Sequence, residues 1–166
     1  MIRKNYQFVY TLFFGLFLVL LASCNNTKKY EREEETTIQN YLNSNPSLNF
    51  ELKPSGLYYL DVEIGSGIQA ETHDTAFVKF TMKFLDGTVY DTNVGTDDTL
   101  IFPVNEQIWP AGFDEGITYM REGGKAMFLM PSKLAYGGAG TYGIPGYTPL
   151  LFDIELVLIK PGPGKK

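Results

Sequence analysis

KAMFLMPSKLAYGGAGTYGIPGYTPLLFDIELVLI, residues 125–159, decides the fold. A short apolar strand stops at Pro131, the chain crosses five glycines, and a second apolar strand returns after Pro149 to pair nearby. Glycine and proline at this density break regular structure, so the intervening segment is a flexible flap hung over a sheet, with Tyr136 at its base and Ile144 at its tip. Flaps of this kind cover binding sites, because loops carried on a rigid scaffold bring functional side chains together.

Working outward, AFVKFTMKFLDGTVYD at 76–91 has a clean period of two. Ala76, Val78, Phe80, Met82 and Phe84 point one way while Lys79, Thr81 and Lys83 point the other, the pattern of a half-buried antiparallel strand. Asp86-Gly87 then reads as a two-residue hairpin turn, glycine supplying the positive φ. Gly56 to Ile64 reads as an edge strand stopped by Gly65-Ser66-Gly67, and Leu100 to Pro103 as a further short strand. In WPAGFDEGITYM, residues 109–120, Phe113, Ile117 and Met120 fall on one helical face. Asp114 and Glu115 occupy its first turn, where the helix dipole favours acids, and Gly123-Gly124 should end it. One short helix among five or six antiparallel strands is an α+β arrangement. The sheet is expected to bury one face on that helix, since nothing else in the chain is available to cover it.

Five pieces stand in one order: Leu85-Asp86-Gly87, Gly112-Phe113-Asp114-Glu115-Gly116, Ala135-Tyr136-Gly137, Ile144-Pro145 and Phe152-Asp153-Ile154-Glu155-Leu156. In that order they resemble the FK506-binding-protein (FKBP) family of peptidyl-prolyl cis-trans isomerases. The resemblance implies an FKBP-like fold, a sheet wrapped on one short helix, and an enzyme that accelerates rotation about X-Pro bonds without a cofactor or metal. It also implies a site. Phe113 takes the floor position usually held by Trp, Tyr136 supplies the hydroxyl that hydrogen-bonds the substrate carbonyl, and Ile144 is the flap residue. Phe80, Tyr90, Phe102 and Phe152 form the walls, Leu100 falls where a further wall residue stands, and Ile108 and Trp109 occupy the strip before the floor. Proline-containing polypeptides are the implied substrates, and a macrolide of the FK506 type is an implied ligand. Asp91 matches the family's pocket acid, yet the Tyr and Arg that usually pair with it are replaced by Phe80 and by a segment, residues 92–98, that has no Arg. An unpartnered carboxylate is costly to bury, so Asp91 is expected to be partly exposed or held by a local hydroxyl or backbone group.

The amino terminus carries an address. Arg3 and Lys4 precede an apolar run from Val9 to Ala22, and Leu21-Ala22-Ser23-Cys24 looks like a bacterial lipobox, with Cys24, the one cysteine, as the lipidated residue. A membrane helix is the alternative, although the run falls short of the roughly 20 residues that a spanning helix needs. Residues 1–23 are therefore expected to be a lipoprotein signal peptide, 24–45 a tether with a short helix built on Ile38, Tyr41 and Leu42, and 46–166 the isomerase domain. The acidic run from Glu31 to Glu35 reads as a solvated face. A lipid-anchored protein of the cell envelope is the expectation, with outer-membrane placement favoured by Asn25 and a monomer expected.

Several classes are set aside on composition. A formal charge of −5 disfavours nucleic acid as a partner. Gly138 to Gly143 spells G-x-G-x-x-G, but Ile144-Pro145-Gly146 follows and no helix can open there to receive a phosphate. Gly123-Gly124-Lys125-Ala126 lacks the Ser or Thr of a P-loop, and His73 is a lone histidine beside Asp74 in a polar loop. The rivals to an isomerase are a non-catalytic FKBP-like module that holds proline-containing segments, and an envelope lipoprotein whose aromatic residues are simply core.

Overall fold

The alternating strand and the two strands around the flap come together as predicted. The computed structural model describes residues 26–164; the expected signal peptide, residues 1–23, and Cys24 lie outside them. The chain runs through helix α1 (26–44), β1 (Glu51–Leu52), β2 (Tyr58–Glu63), β3 (Thr75–Phe84), β4 (Val89–Thr92), β5 (Leu100–Pro103), helix α2 (Ala111–Tyr119), β6 (Lys125–Met130), a 3₁₀ turn (Ser132–Leu134) and β7 (Leu150–Lys160). The strands form one antiparallel sheet in the order β1-β2-β6-β7-β3-β4, with β5 also paired to β3. That is seven strands where five or six were expected, the addition being the two-residue β1.

Alternation sets the layers. On β3, Ala76, Val78, Phe80 and Met82 are buried while Lys79, Thr81 and Lys83 are not. The long β7 runs between β6 and β3 and matches Phe152 to Phe128 on one side and to Met82 on the other. One face of this sheet closes on α2, whose Phe113 and Ile117 are fully buried in one cluster with Phe128, Met130, Phe152 and Ile154. Gly116 is what lets the helix approach so closely: a Cβ there would stand 2.5 Å from the Phe128 ring.

Three local expectations are corrected. The hairpin after β3 closes through three residues, because Phe84 donates its N–H to the Thr88 carbonyl and Gly87, at φ 90°, donates to Phe84. Helix α2 stops at Tyr119, and Met120 is already extended, so Gly123-Gly124 belongs to the turn into β6. Most consequential is α1. Where a tether and a short helix were expected, the described chain is helical from 26 to 44 and lies on the other face of the sheet. Ile38 packs there with Leu129 and Leu151, flanked by Tyr41, Leu42, Phe50 and Met127. The sheet therefore has cover on both faces, and β6 is apolar from Ala126 to Met130 for that reason.

Candidate active site

Three strands and a helix end meet at a cluster of aromatic rings. Phe80 comes from β3, Phe102 from β5, Phe152 from β7 and Phe113 from the first turn of α2. Phe113 lies 5.5 Å from Phe102, 5.5 Å from Phe152 and 6.5 Å from Phe80 between ring centroids. Its tilted and edge-on partners are those that aromatic quadrupoles favour.

Trp109 completes the cluster from above. Pro110 caps α2 in an extended conformation and turns the chain so that the preceding indole folds back over the helix. The indole sits 5.4 Å from Phe113, 6.2 Å from Phe80 and 6.3 Å from Phe102. Phe113 is 0% exposed, whereas Trp109 is partly open. The residue expected as the floor is thus covered, and the surface turned outward is the indole. Leu100 packs against the same cluster, but Ile108 is 63% exposed and stays outside it.

The flap supplies the polar side. Tyr136 is half-buried, and burial first, then the neighbouring Tyr90 and Asp91, hold its phenol above its ordinary pKa of 10.0. It is therefore a neutral O–H donor throughout the physiological range. Among the described residues none accepts a hydrogen bond from that hydroxyl. Tyr90 stands at a bulge: Asp91 pairs with Met82 and Val89 with Lys83, leaving Tyr90 as the extra residue. Its ring meets Phe84 edge-on, and its hydroxyl donates to the Tyr142 carbonyl in the flap. Asp91 is exposed and accepts the Thr92 N–H at 2.8 Å, so without the Tyr and the Arg it has the exposure and backbone partner anticipated for it.

Ile144 is not the flap tip. It is 2% exposed and joins the core cluster, while Tyr142, 95% exposed, projects instead. Paired backbone bonds between Thr141 and Ile144, at 2.9 and 3.0 Å, make the tight turn that tucks the isoleucine inward.

Two residues that sequence reasoning passed over shape the rim. Asn93 is buried at the edge of β3, accepting the Phe80 N–H at 2.7 Å and donating to the Val78 carbonyl at 3.0 Å. It replaces the ladder bonds lost where β4 diverges, and so fixes the backbone that carries Phe80. Lys79 donates to the Thr96 carbonyl at 3.0 Å and to that of Asp98, binding the 92–98 segment to the strand. A side chain in TNVGTDD that completes a strand edge has no periodic signature, which is why it was missed.

An apolar aromatic surface with a free hydroxyl packed against the same cluster can accept a flat, weakly polar group and orient its carbonyl. The family model for FKBP-type peptidyl-prolyl cis-trans isomerases matches residues 66–157, which hold this whole arrangement. The chain is similar to the FKBP-type peptidyl-prolyl cis-trans isomerase FkpA of Aeromonas hydrophila, 39% identical over 106 residues, which are 64% of this chain and 39% of that protein. It is similar along more of its length to the macrophage infectivity potentiator of Trypanosoma cruzi, 34% identical over 173 residues, covering 96% of this chain and 87% of that one. Among solved structures, FkpA from Escherichia coli superposes with a TM-score of 0.72 at 28% identity, over 94% of this chain and 73% of that one. The chain thus spans about two fifths of the length of the first of these relatives.

Proposed function

Because the chain belongs to the FKBP-type peptidyl-prolyl cis-trans isomerase family, we propose that it accelerates rotation about X-Pro bonds at the Trp109-Phe113 surface with Tyr136. The observation that carries this reading is the conjunction of a partly open indole on a closed aromatic bed with an unpartnered, neutral Tyr136 phenol packed against the same core cluster. The barrier to X-Pro rotation is roughly 18–20 kcal/mol, because twisting the amide removes its resonance. Neither a nucleophile nor a metal is needed to lower it. The planar amide has the more polar carbonyl and the stronger need for water, so an apolar surface that strips solvent favours the twisted form. Tyr136 holds the carbonyl oxygen as it swings out of the plane. Asp91, exposed and tied to Thr92, adds after burial and Tyr90 to what holds the pKa of that phenol up.

The substrates would be proline-containing segments of exported proteins, with the enzyme held at the envelope by lipid on Cys24. The lipobox-like tetrad at residues 21–24 and the preceding apolar run support this address. Slow prolyl steps limit folding wherever chains fold, which gives an exported isomerase its work.

A second reading has its own support: Phe113 and Ile144 are almost fully enclosed, as a module that only binds, or a packed core, would have them. A protease-coupled assay on an Ala-Pro-Phe-type peptide separates the readings. Acceleration over the uncatalysed rate at micromolar protein is expected, and Tyr136→Phe should lower kcat/KM about tenfold, one hydrogen bond to a polarised oxygen contributing about 1–1.5 kcal/mol. No acceleration would end the enzyme reading. Quenching of the sole tryptophan by FK506 would then distinguish a binding module from a filled core.

A further inference from the structure

We propose that α1 is a clamp on the flap, with Glu34 and Tyr30 acting as positioning residues for Tyr136. The proposal rests on Tyr136 being the working hydroxyl. The flap has two roots, one at Ser132 where the chain leaves β6 and one at Tyr147 where it returns toward β7. α1 touches both. The Glu34 carboxylate accepts the Ser132 hydroxyl at 2.8 Å through Oε2 and the Ser132 N–H through Oε1. The Tyr30 ring stacks on Tyr147 at 5.3 Å between centroids and 20° between planes.

Each root is wired to Tyr136. The Ser132 carbonyl accepts the N–H of Ala135 at 2.8 Å and of Gly137 at 2.7 Å, the two residues that flank Tyr136. A carboxylate holding both donors of Ser132 therefore fixes the residue whose carbonyl anchors that turn. At the other root, Tyr147 donates its N–H to the Gly137 carbonyl at 3.0 Å. Its ring lies so close to Gly138 that a Cβ there would stand 2.6 Å from it. The ring is thus held between Tyr30 and the flap backbone.

Between these contacts the helix and the flap roots do not pack. A cleft of about 620 Å³ separates them, lined by Glu31, Glu35, Tyr58 and Lys133 among others. The helix is attached to the sheet elsewhere, through Ile38 on Leu129 and Leu151. Glu34 and Tyr30 are thus two points at which α1 holds the flap, and removing either leaves the apolar attachment of α1 in place. The acidic run Glu31–Glu35, read from sequence as a solvated face, contains in Glu34 a carboxylate that reaches across to Ser132 of the flap.

The test uses the full chain in mild detergent, with Glu34→Ala, Tyr30→Ala and Glu34→Gln. Amide hydrogen exchange at Gly137 and Tyr147 is expected to accelerate about tenfold in Glu34→Ala and Tyr30→Ala, while amides of β3 and β7 keep their wild-type rates. In the same variants kcat for a prolyl peptide should fall about threefold to tenfold with KM little changed. Glu34→Gln, which keeps an acceptor for the Ser132 N–H, should restore most of both. Unchanged exchange at Gly137 and Tyr147 in Glu34→Ala and Tyr30→Ala overturns the clamp, as does accelerated exchange with wild-type kcat in those variants. An inactive wild-type protein is a failure of the isomerase reading, recognised by its own control, and exchange still decides the clamp.

Discussion

At the scale of single residues, the side chains legible in the sequence are those whose burial follows from a period. Phe80 and Phe152 fall on the inward beat of strands, Phe113 and Ile117 on one face of a helix, and all four are enclosed where those periods put them. Trp109 and Ile144 lie in loops, and their places depend on how Pro110 and the Thr141–Ile144 turn redirect the chain. No period reports that. Asp114 shows the same limit from the polar side. Its place in the first turn of α2 suggests a solvated acid on the helix dipole, yet it is 3% exposed. Its Oδ2 accepts the Gln107 N–H at 3.1 Å, and Oδ1 has no partner among the described residues. Burial, opposed by the nearby N–H groups of Asn105 and Gln107 and aided by Glu106, raises its pKa above the ordinary 3.8. The folded protein therefore binds this proton more tightly than the unfolded chain does, so the group's contribution to stability falls as pH rises from about 3.8 through the raised value, then levels off. Urea midpoints of wild type and Asp114→Asn, measured from pH 3.5 to 7, should show that the wild-type advantage shrinks across this window. A difference independent of pH would mean that the carboxyl titrates normally.

Elements were read better in their existence than in their ends. The strands β2, β3, β5, β6 and β7 and the helix α2 stand where alternation and helical spacing put them. The two-residue turn became three residues and α2 stopped a turn early, because ends are set by the chain's next tertiary contact rather than by local signals. The Gly-Phe-Asp-Glu-Gly stretch has a reason at this scale that goes beyond resemblance. Gly116 faces the ring of Phe128, with three ring atoms between 2.5 and 2.8 Å of where a Cβ would stand, and that ring is fully enclosed. Two effects compete in Gly116→Ala. Alanine's better helix propensity favours the variant by about 1 kcal/mol, while overpacking a closed core costs about 1–3 kcal/mol. The ring has nowhere to retreat, so the second should win. A net loss of up to about 2 kcal/mol is expected in urea unfolding. Phe128 also meets Phe113 edge-on at 6.4 Å, and kcat/KM should fall with stability rather than independently of it.

For the whole molecule, the largest difference from the sequence reading is the second covered face. A nineteen-residue helix is hard to see in NTKKYEREEETTIQNYLNS, because only Ile38, Tyr41 and Leu42 mark its buried side. The signal lay elsewhere, in β6: a strand whose outward Met127 and Leu129 are as apolar as its inward Phe128 and Met130 needs cover on both faces. Ile38, 1% exposed, is the centre of that cover. Ile38→Ala should therefore cost about 2–4 kcal/mol, the range for a large aliphatic side chain truncated in a closed site. How the loss appears discriminates two molecules. If α1 and the sheet unfold as one unit, the single urea transition moves to lower concentration with its slope kept. If α1 is a separately stable attachment, the main transition stays in place and a weak early phase carries the change. The first outcome is expected, because Ile38 packs on Leu129 and Leu151 of the two strands that also carry Phe128 and Phe152, so the outer and inner layers share the same backbone.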